Sequence, residues 1–425
     1  MSDIQALRPK VLQNLKVSII SGIDQTMTDI TAQVARVDLY ESIFAPYITV
    51  SMTIADTANL INEIPIVGQE VVQIYYQYKD QEIYKDFHVA EIKGAKVLTD
   101  TYGGYELVLK NHKEYLNSIN TFSRSFSGRN TDIISQIHES YLGQEIEVLS
   151  SGGSSHNVVF PYVKPYVAIK GVVNRSFAND GTPLFLYETV NSETVKLQSL
   201  GDMLFEDSAL ILANETITNT NELGEGVREL PNRGPTATNQ VIRNGYPTHR
   251  NIDRGYFASD ITTIDVSNKS YNERVYTAKD NFEEQHIFHD TYYSDNYRLD
   301  ERSFDQLNAS KRLFYTQNNM AFNSSVGNLG QVDSITNAAG RAYRGMLNNQ
   351  TVRFGCDPTP DLEVGKMVDL TFKTMKPNLG NTSDDRDPVN SGSYLVTAIR
   401  HTIKGSKYTW TCEGMRSGIN YEVTT

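Results

Sequence analysis

Two octapeptides decide how this chain reads: Val67-Gly68-Gln69-Glu70-Val71-Val72-Gln73-Ile74 (VGQEVVQI) and Val364-Gly365-Lys366-Met367-Val368-Asp369-Leu370-Thr371 (VGKMVDLT). Each sets a glycine ahead of an apolar, β-branched run, the pattern of a strand begun from a tight turn or a positive φ. The surroundings match too. Upstream of each lies a strand and a Pro-containing excursion: YITVSMTIADTANLINEIPIVGQEVVQIYY in the first case, TVRFGCDPTPDLEVGKMVDLTFK in the second. Downstream of each lie two strands joined by a turn, FHVAEIKGAKVLTDTYGGYELVLKN and YLVTAIRHTIKGSKYTWTCEGM. The offsets are 297 residues for Gly68 and Gly365, 307 for Phe87 and Tyr394, and 303 for Tyr105 and Tyr408. Drift of that size is what loop-length changes produce, so one chain carries two copies of one β-module.

Local patterns outside the repeat give a coarse layout. In PYITVSMTI, Ile48, Val50, Met52 and Ile54 share one face of a strand. Asp56 is placed to cap a helical turn before Pro65, and VVQIYYQY (71–78) reads as a strand. A turn is expected at Gly103-Gly104. TDIISQIHESYL puts Ile133, Ile134, Ile137 and Tyr141 on one helical face; AIKGVVNRSF fits a short helix and PLFLYETV a buried strand. Residues 214–328 turn polar, with the punctuation of an extended arm that docks on its parent domain or on a partner. Ala338, Ala339, Ala342 and Met346 then form the slender face of a helix packed against sheet. The expected class is mainly β within an α+β whole. The first β-barrel module spans 1–116, an α+β domain 117–213, the insertion 214–328, and the second module 329–425.

Composition narrows the function. The 425 residues carry a formal net charge of −12 and no dense Lys/Arg cluster, which disfavours nonspecific nucleic-acid binding. Cys356 and Cys412 have no metal-ligand spacing; their pairing stays open. The N-terminal stretch lacks an apolar core of signal-peptide length and no 18-residue apolar run occurs, so a soluble chain made in a cytoplasm is expected. His286, His289 and Asp290 lack the Glu of a His-Glu-x-x-His site, and Asp384, Asp385 and Asp387 lack the glycine and terminal Glu of a calcium loop. No nucleophile elbow or phosphate loop is present. No metal, cofactor or catalytic residue is assigned. Interaction strands are the better candidates: Tyr75, Tyr76 and Tyr78 crowd one strand, and tyrosine is favoured in interfaces.

The stretch LYESIFAPYITVSMTIADTANLINEIPIVGQEVVQIYY, with its acid-Ser-apolar opening at Glu41-Ser42-Ile43, resembles the first module of baseplate hub proteins from contractile phage tails, relatives of type VI secretion hub modules. The C-terminal strands resemble that family's second module, with its YLV-x-x-apolar-x-His signature at Tyr394, Leu395, Val396, Ile399 and His401, and Tyr408 beyond. The middle resembles the family's helix-strand domain, so the likeness spans 12–213 and 330–416 and omits the insertion. It implies a non-enzymatic homotrimer, two tube-like modules per chain forming a pseudo-sixfold ring in the virion. The implied partners are a sixfold tail tube above, a separate threefold spike below and surrounding wedge proteins. The lumen would pass DNA without binding it. Val67, Gly68, Val71, Tyr75, Tyr76, Val364, Gly365, Val368, Tyr394, Val396, His401 and Tyr408 mark the repeat and its candidate interface strands. A tail-associated peptidoglycan hydrolase and a carbohydrate-binding receptor are the alternatives.

Overall fold

A computed structural model describes residues 12–64, 66–79, 81–99, 102–152, 155–206, 210–214, 236–245, 247–265, 269–278, 298–299, 302–303, 312–316, 322–323, 329–372, 387 and 389–418. The first strand group comprises β1 (Gln13–Ile20), β2 (Val34–Ser42), β3 (Thr49–Asp56), β4 (Val71–Tyr78), β5 (Gln81–Thr99) and β6 (Tyr102–Lys110). Between the groups lie helices α1 (Asn130–Leu142) and α2 (Pro165–Val173). The second group is β7 (Leu210–Asn214), β8 (Thr236–Gly245), β9 (Gln350–Cys356), β10 (Met367–Leu370), β11 (Gly392–Lys404) and β12 (Lys407–Arg416), with α3 (Leu329–Leu347) ahead of β9.

The pairing order repeats. β4–β5, β5–β6, β6–β3 and β3–β2 are antiparallel ladders. So are β10–β11, β11–β12, β12–β9 and β9–β8, in the same chain order. Five strands therefore correspond. The copies differ in the sixth: β1 lies antiparallel to β4, whereas β7 lies parallel to β10. β7 also pairs β8, which closes the second group into a six-stranded ring. The groups are joined edge to edge, because β2 pairs with the second half of β11, from Ser42 opposite Ala398 to Val37 opposite Ile403.

Both glycines of the opening comparison have φ +86°. Val72 lies opposite Phe87 and Val368 opposite Tyr394. The residue before each strand also makes the same bond: Val89 N–H donates to Glu70 O (3.0 Å) and Val396 N–H to Lys366 O (2.9 Å). Gly68 stands one residue further from its strand than Gly365 does. The extra residue is Gln69; Glu70, the counterpart of Lys366, is buried, and its carboxylate accepts from the N–H groups of Val67, Gly68 and Gln69 at 2.6, 2.9 and 3.1 Å. An anionic acceptor thus satisfies the backbone donors that a tight turn leaves free.

Strand period two places the core. Ile48, Val50, Met52 and Ile54 are buried, as are Val72, Ile74, Tyr76 and Tyr78, and one continuous cluster runs through both strand groups. A second cluster fills the intervening unit, where Ile133, Ile134 and Ile137 of α1 meet Ala168, Ile169 and Val172 of α2. The strand Leu184–Glu188 is buried throughout because it serves both: Leu184 and Leu186 face the second cluster, Phe185 and Tyr187 the first. Asp56 caps as expected, accepting from Leu60 N–H at 2.8 Å.

Two local expectations change. Gly103 and Gly104 lie inside β6, opposite Asp56 and Ala55; a Cβ on Gly104 would lie 3.6 Å from Ile54 O, an ordinary contact, so the strand accepts glycine here without requiring it. The polar stretch 214–328 is not only an arm. It supplies β8 to the second ring, and Tyr256, Phe257, Ile261 and Tyr276 to the main core.

Candidate functional site: the seam between the strand groups

The β2–β11 junction gathers a cluster of buried polar groups, Asp38, Glu41, Thr397 and His401. Glu41 sits near the end of β2, where its Oε2 accepts from Val190 N–H at 2.6 Å and its Oε1 lies 3.3 Å from His401 Nε2 on β11. That approach is off the hydrogen-bond axis, so it is a through-space contact between two side chains that are 1–2% exposed. His401 Nδ1 is 2.7 Å from the Tyr408 hydroxyl, which is 3.3 Å from the hydroxyl of Tyr76 on β4. Trp410 meets His401 edge on, with ring centroids 4.9 Å apart. The chain Glu41–His401–Tyr408–Tyr76 thus ties the first group, the second group and the intervening unit at one point.

An acid, a histidine and a hydroxyl in series have the order of a catalytic relay. This one is sealed. Burial pushes the Tyr76 and Tyr408 phenols well above their ordinary range, so both are neutral donors. The arrangement orders a junction.

Around it the seam is zipped by further polar contacts. Ser42 Oγ donates to Thr397 O at 3.1 Å, and Ile43 N–H donates to the same carbonyl at 3.0 Å. Asp38 on β2 accepts two bonds from Arg400 on β11 (3.0 and 2.8 Å) and one from Thr402 at 2.7 Å. Burial would raise the Asp38 carboxyl, but hydrogen bonds from Arg400, Thr402 and Arg36 outweigh it and hold the group below the usual range. The intervening unit is clamped separately: Glu188 accepts from Ile48 N–H (3.3 Å), Asn111 Nδ2 (2.9 Å) and Lys113 Nζ (3.3 Å), and Lys196 pairs with Glu363 at 2.9 Å.

The twelve residues chosen from sequence divide sharply. Tyr76, Val364, Val368, Tyr394, Val396, His401 and Tyr408 are buried within the chain. Val71 and Tyr75 are half-buried on the opposite face of β4, and Val67 is 56% exposed beside Gly68. Gly365 packs against the Tyr187 hydroxyl. The seam unites Tyr76, His401 and Tyr408; Val67, Gly68, Val71 and Tyr75 lie away from it. Sequence reading did not single out Glu41, Asp38, Glu70, Glu188 or Arg400. A signal for Glu41 existed, since the acid-Ser-apolar opening and the His of the C-terminal signature are the two pieces that meet here.

His286, His289, Asp290, Asp384 and Asp385 lie outside the described residues. Asp387 is described and organises a turn, accepting from Val389 N–H (2.8 Å) and Asn390 N–H (3.1 Å). Cys356 and Cys412 are free thiols with sulfurs 3.5 Å apart on neighbouring strands. Among the described residues no group of three metal-ligating side chains assembles, and no helix is long and apolar enough to cross a membrane.

The fold is similar to that of two solved tail proteins. The tail protein from Neisseria meningitidis MC58 is similar over 96% of this chain and 98% of its own, with a TM-score of 0.57 and 9% identity. The 43 kDa tail protein of prophage MuSo2 from Shewanella oneidensis matches over 95% and 99%, with a TM-score of 0.51 and 8% identity. The chain therefore has a tail-protein fold, reached at a sequence identity where only the architecture is shared. No family model matches the chain, and no curated protein matches it in sequence.

Proposed function

We propose that the chain is a structural hub of a phage tail baseplate, a homotrimer whose six strand groups make a pseudo-sixfold ring between a sixfold tail tube and a threefold spike. The observation that carries this reading is the duplicated pairing order: five strands in the same sequence and the same ladder arrangement, twice in one chain. A closed ring needs the same interface at regular intervals. Three chains offer six such surfaces only if each chain carries the surface twice. The edge-to-edge joint at β2–β11 supports the reading, because it holds the two copies in one continuous sheet. The likeness to whole tail proteins supports the setting in a virion tail.

The role is non-enzymatic in this reading. In its support, the buried carboxylates of Glu41, Glu70 and Glu188 all accept backbone N–H groups and are thereby used as structural acceptors. The acidic balance suits a lumen that passes DNA without holding it. The partners would be the tail tube protein, a separate spike chain and surrounding wedge proteins, met through broad β-rich surfaces.

Sedimentation equilibrium of the purified chain tests this. A species of three times the 47.8 kDa chain mass is expected, with six similar lobes in averaged electron-microscope views down its axis. A chain that stays monomeric or dimeric, alone and with tail components, overturns the hub. Cell-wall lysis abolished by one Asp or Glu substitution would instead establish the hydrolase alternative.

A further inference from the structure

A groove of about 270 Å³ opens where three distant pieces of chain meet: the turn after β2, the pair formed by α2 and the strand Leu184–Glu188, and the C-terminal half of α3. Its floor is apolar, with Ile43, Ile169, Leu184 and Phe185 all buried. Phe44 stands at the rim, 50% exposed, its ring edge-on to Phe185 at 5.8 Å. Two cations line the same opening, Arg344 from α3 and the exposed Lys170 from α2.

Arg344 is the anomaly. Its guanidinium donates to Asn174 Oδ1 at 2.9 Å and lies 5.9 Å from the Phe185 ring centroid. Among the described residues no carboxylate forms an ion pair with it or with Lys170. Burial, then the neighbouring Arg341, push it below the ordinary arginine range, the direction expected of a cation without a counter-charge. Arg400, by contrast, is raised, chiefly by its hydrogen bonds to Asp38. A half-buried, unmatched cation against an apolar floor is out of character for a chain of net charge −12.

We propose that this groove docks a segment of a partner protein that carries a carboxylate beside a large apolar side chain. The apolar group would cover the floor and Phe44, where burial is worth roughly 25 cal/mol per Å². The carboxylate would take the free edge of the Arg344 fork, whose planar donors match two carboxylate oxygens. The volume sits just below the roughly 300–1,000 Å³ of small-molecule pockets, so one or two side chains fit and a cofactor does not. Charge complementarity selects an acidic segment over a neutral or basic one. Apart from Ile43, whose N–H joins the seam, the lining lies outside the seam and the duplicated strands, and the dipeptide test does not depend on oligomeric state, so its failure and that of the hub reading are distinguishable.

The test uses the full chain and three capped dipeptides, acetyl-Phe-Glu-amide, acetyl-Phe-Gln-amide and acetyl-Phe-Lys-amide, titrated by ligand-observed NMR. The Glu peptide should bind saturably, at least fivefold tighter than the Gln peptide, and the Lys peptide weakest. Arg344→Gln should abolish the Glu-over-Gln preference while leaving the Gln peptide unchanged; Arg344→Lys should retain part of it; Phe44→Ala should weaken all three peptides. Absence of saturable Glu-peptide binding, equal affinities, or a preference that survives Arg344→Gln overturns the proposal. Should Arg344→Gln fail to fold, the surface variant Lys170→Gln decides. It should lower the preference at least twofold, and an unchanged preference counts against the site.

Discussion

Replacing Gly365 and Gly68 with alanine, one at a time, separates backbone conformation from packing. At φ +86° an L side chain is strained by about 1–2 kcal/mol at either position. At Gly68 that is the whole effect, because the nearest atom to an added Cβ is Val89 O at 4.0 Å. At Gly365 the Cβ would lie 2.6 Å from the Tyr187 hydroxyl and 3.2 Å from its ring carbon. Tyr187 is buried and donates to Gln198 Oε1 at 2.6 Å, so moving it costs about 1–3 kcal/mol of overpacking and about 1 kcal/mol of hydrogen bond. Gly365→Ala should therefore lose about 3–6 kcal/mol against about 1–2 kcal/mol for Gly68→Ala, read from urea unfolding followed by Trp410 fluorescence and far-UV dichroism. Tyr187→Phe in the Gly365→Ala background should return about 1–3 kcal/mol of the loss, as a double-mutant cycle measures. Equal losses at the two glycines, or no relief from Tyr187→Phe, would refute the assignment of Gly365 to a packing role.

Three further outcomes follow from the interior. His138 is fully buried between Gln144 O (2.6 Å) and the Tyr47 hydroxyl (3.4 Å), and burial pushes it down to about 4. The unfolded chain, with an ordinary histidine near 6.5, then binds more protons, so stability should fall by roughly 2–3 kcal/mol as pH drops from 6.5 to about 4; His138→Gln should flatten that slope in pH-dependent melts. Glu41→Ala strips the acceptor from the buried Val190 N–H, a loss of about 1–3 kcal/mol by calorimetry, whereas exposed Glu82→Ala should change stability by under about 0.5 kcal/mol. Burial, and then Cys356, push the Cys412 thiol well above its ordinary range, so neither sulfur should react with a thiol reagent in the native chain, and both should react in 6 M guanidinium.

How far the sequence reached can be judged element by element. Alternation in Ile48–Ile54 and Val72–Tyr78, the α1 stripe of Ile133, Ile134 and Ile137, and the Ala338–Met346 face were all legible, since side-chain period depends only on local backbone geometry. The duplicated strand order was legible for the same reason. Gly103 and Gly104 pair within a strand instead of forming a turn, because glycine occurs in strand interiors as well as in turns and sequence does not separate the two.

The inward face of each strand, the double occurrence of one β-module and the acidic balance are written in the linear order of residues. Which strands are neighbours is set by long-range folding. Period two fixes a strand's faces but carries no information about its partner, so the recruitment of β7 and β8 into the second ring was invisible. The same limit hid the pairing of Glu41 with His401 across 360 positions and the meeting of Phe44 with Arg344 across 300. A buried carboxylate and a solvated one look identical in sequence; what separates them is the set of donors that long-range folding brings within about 3 Å.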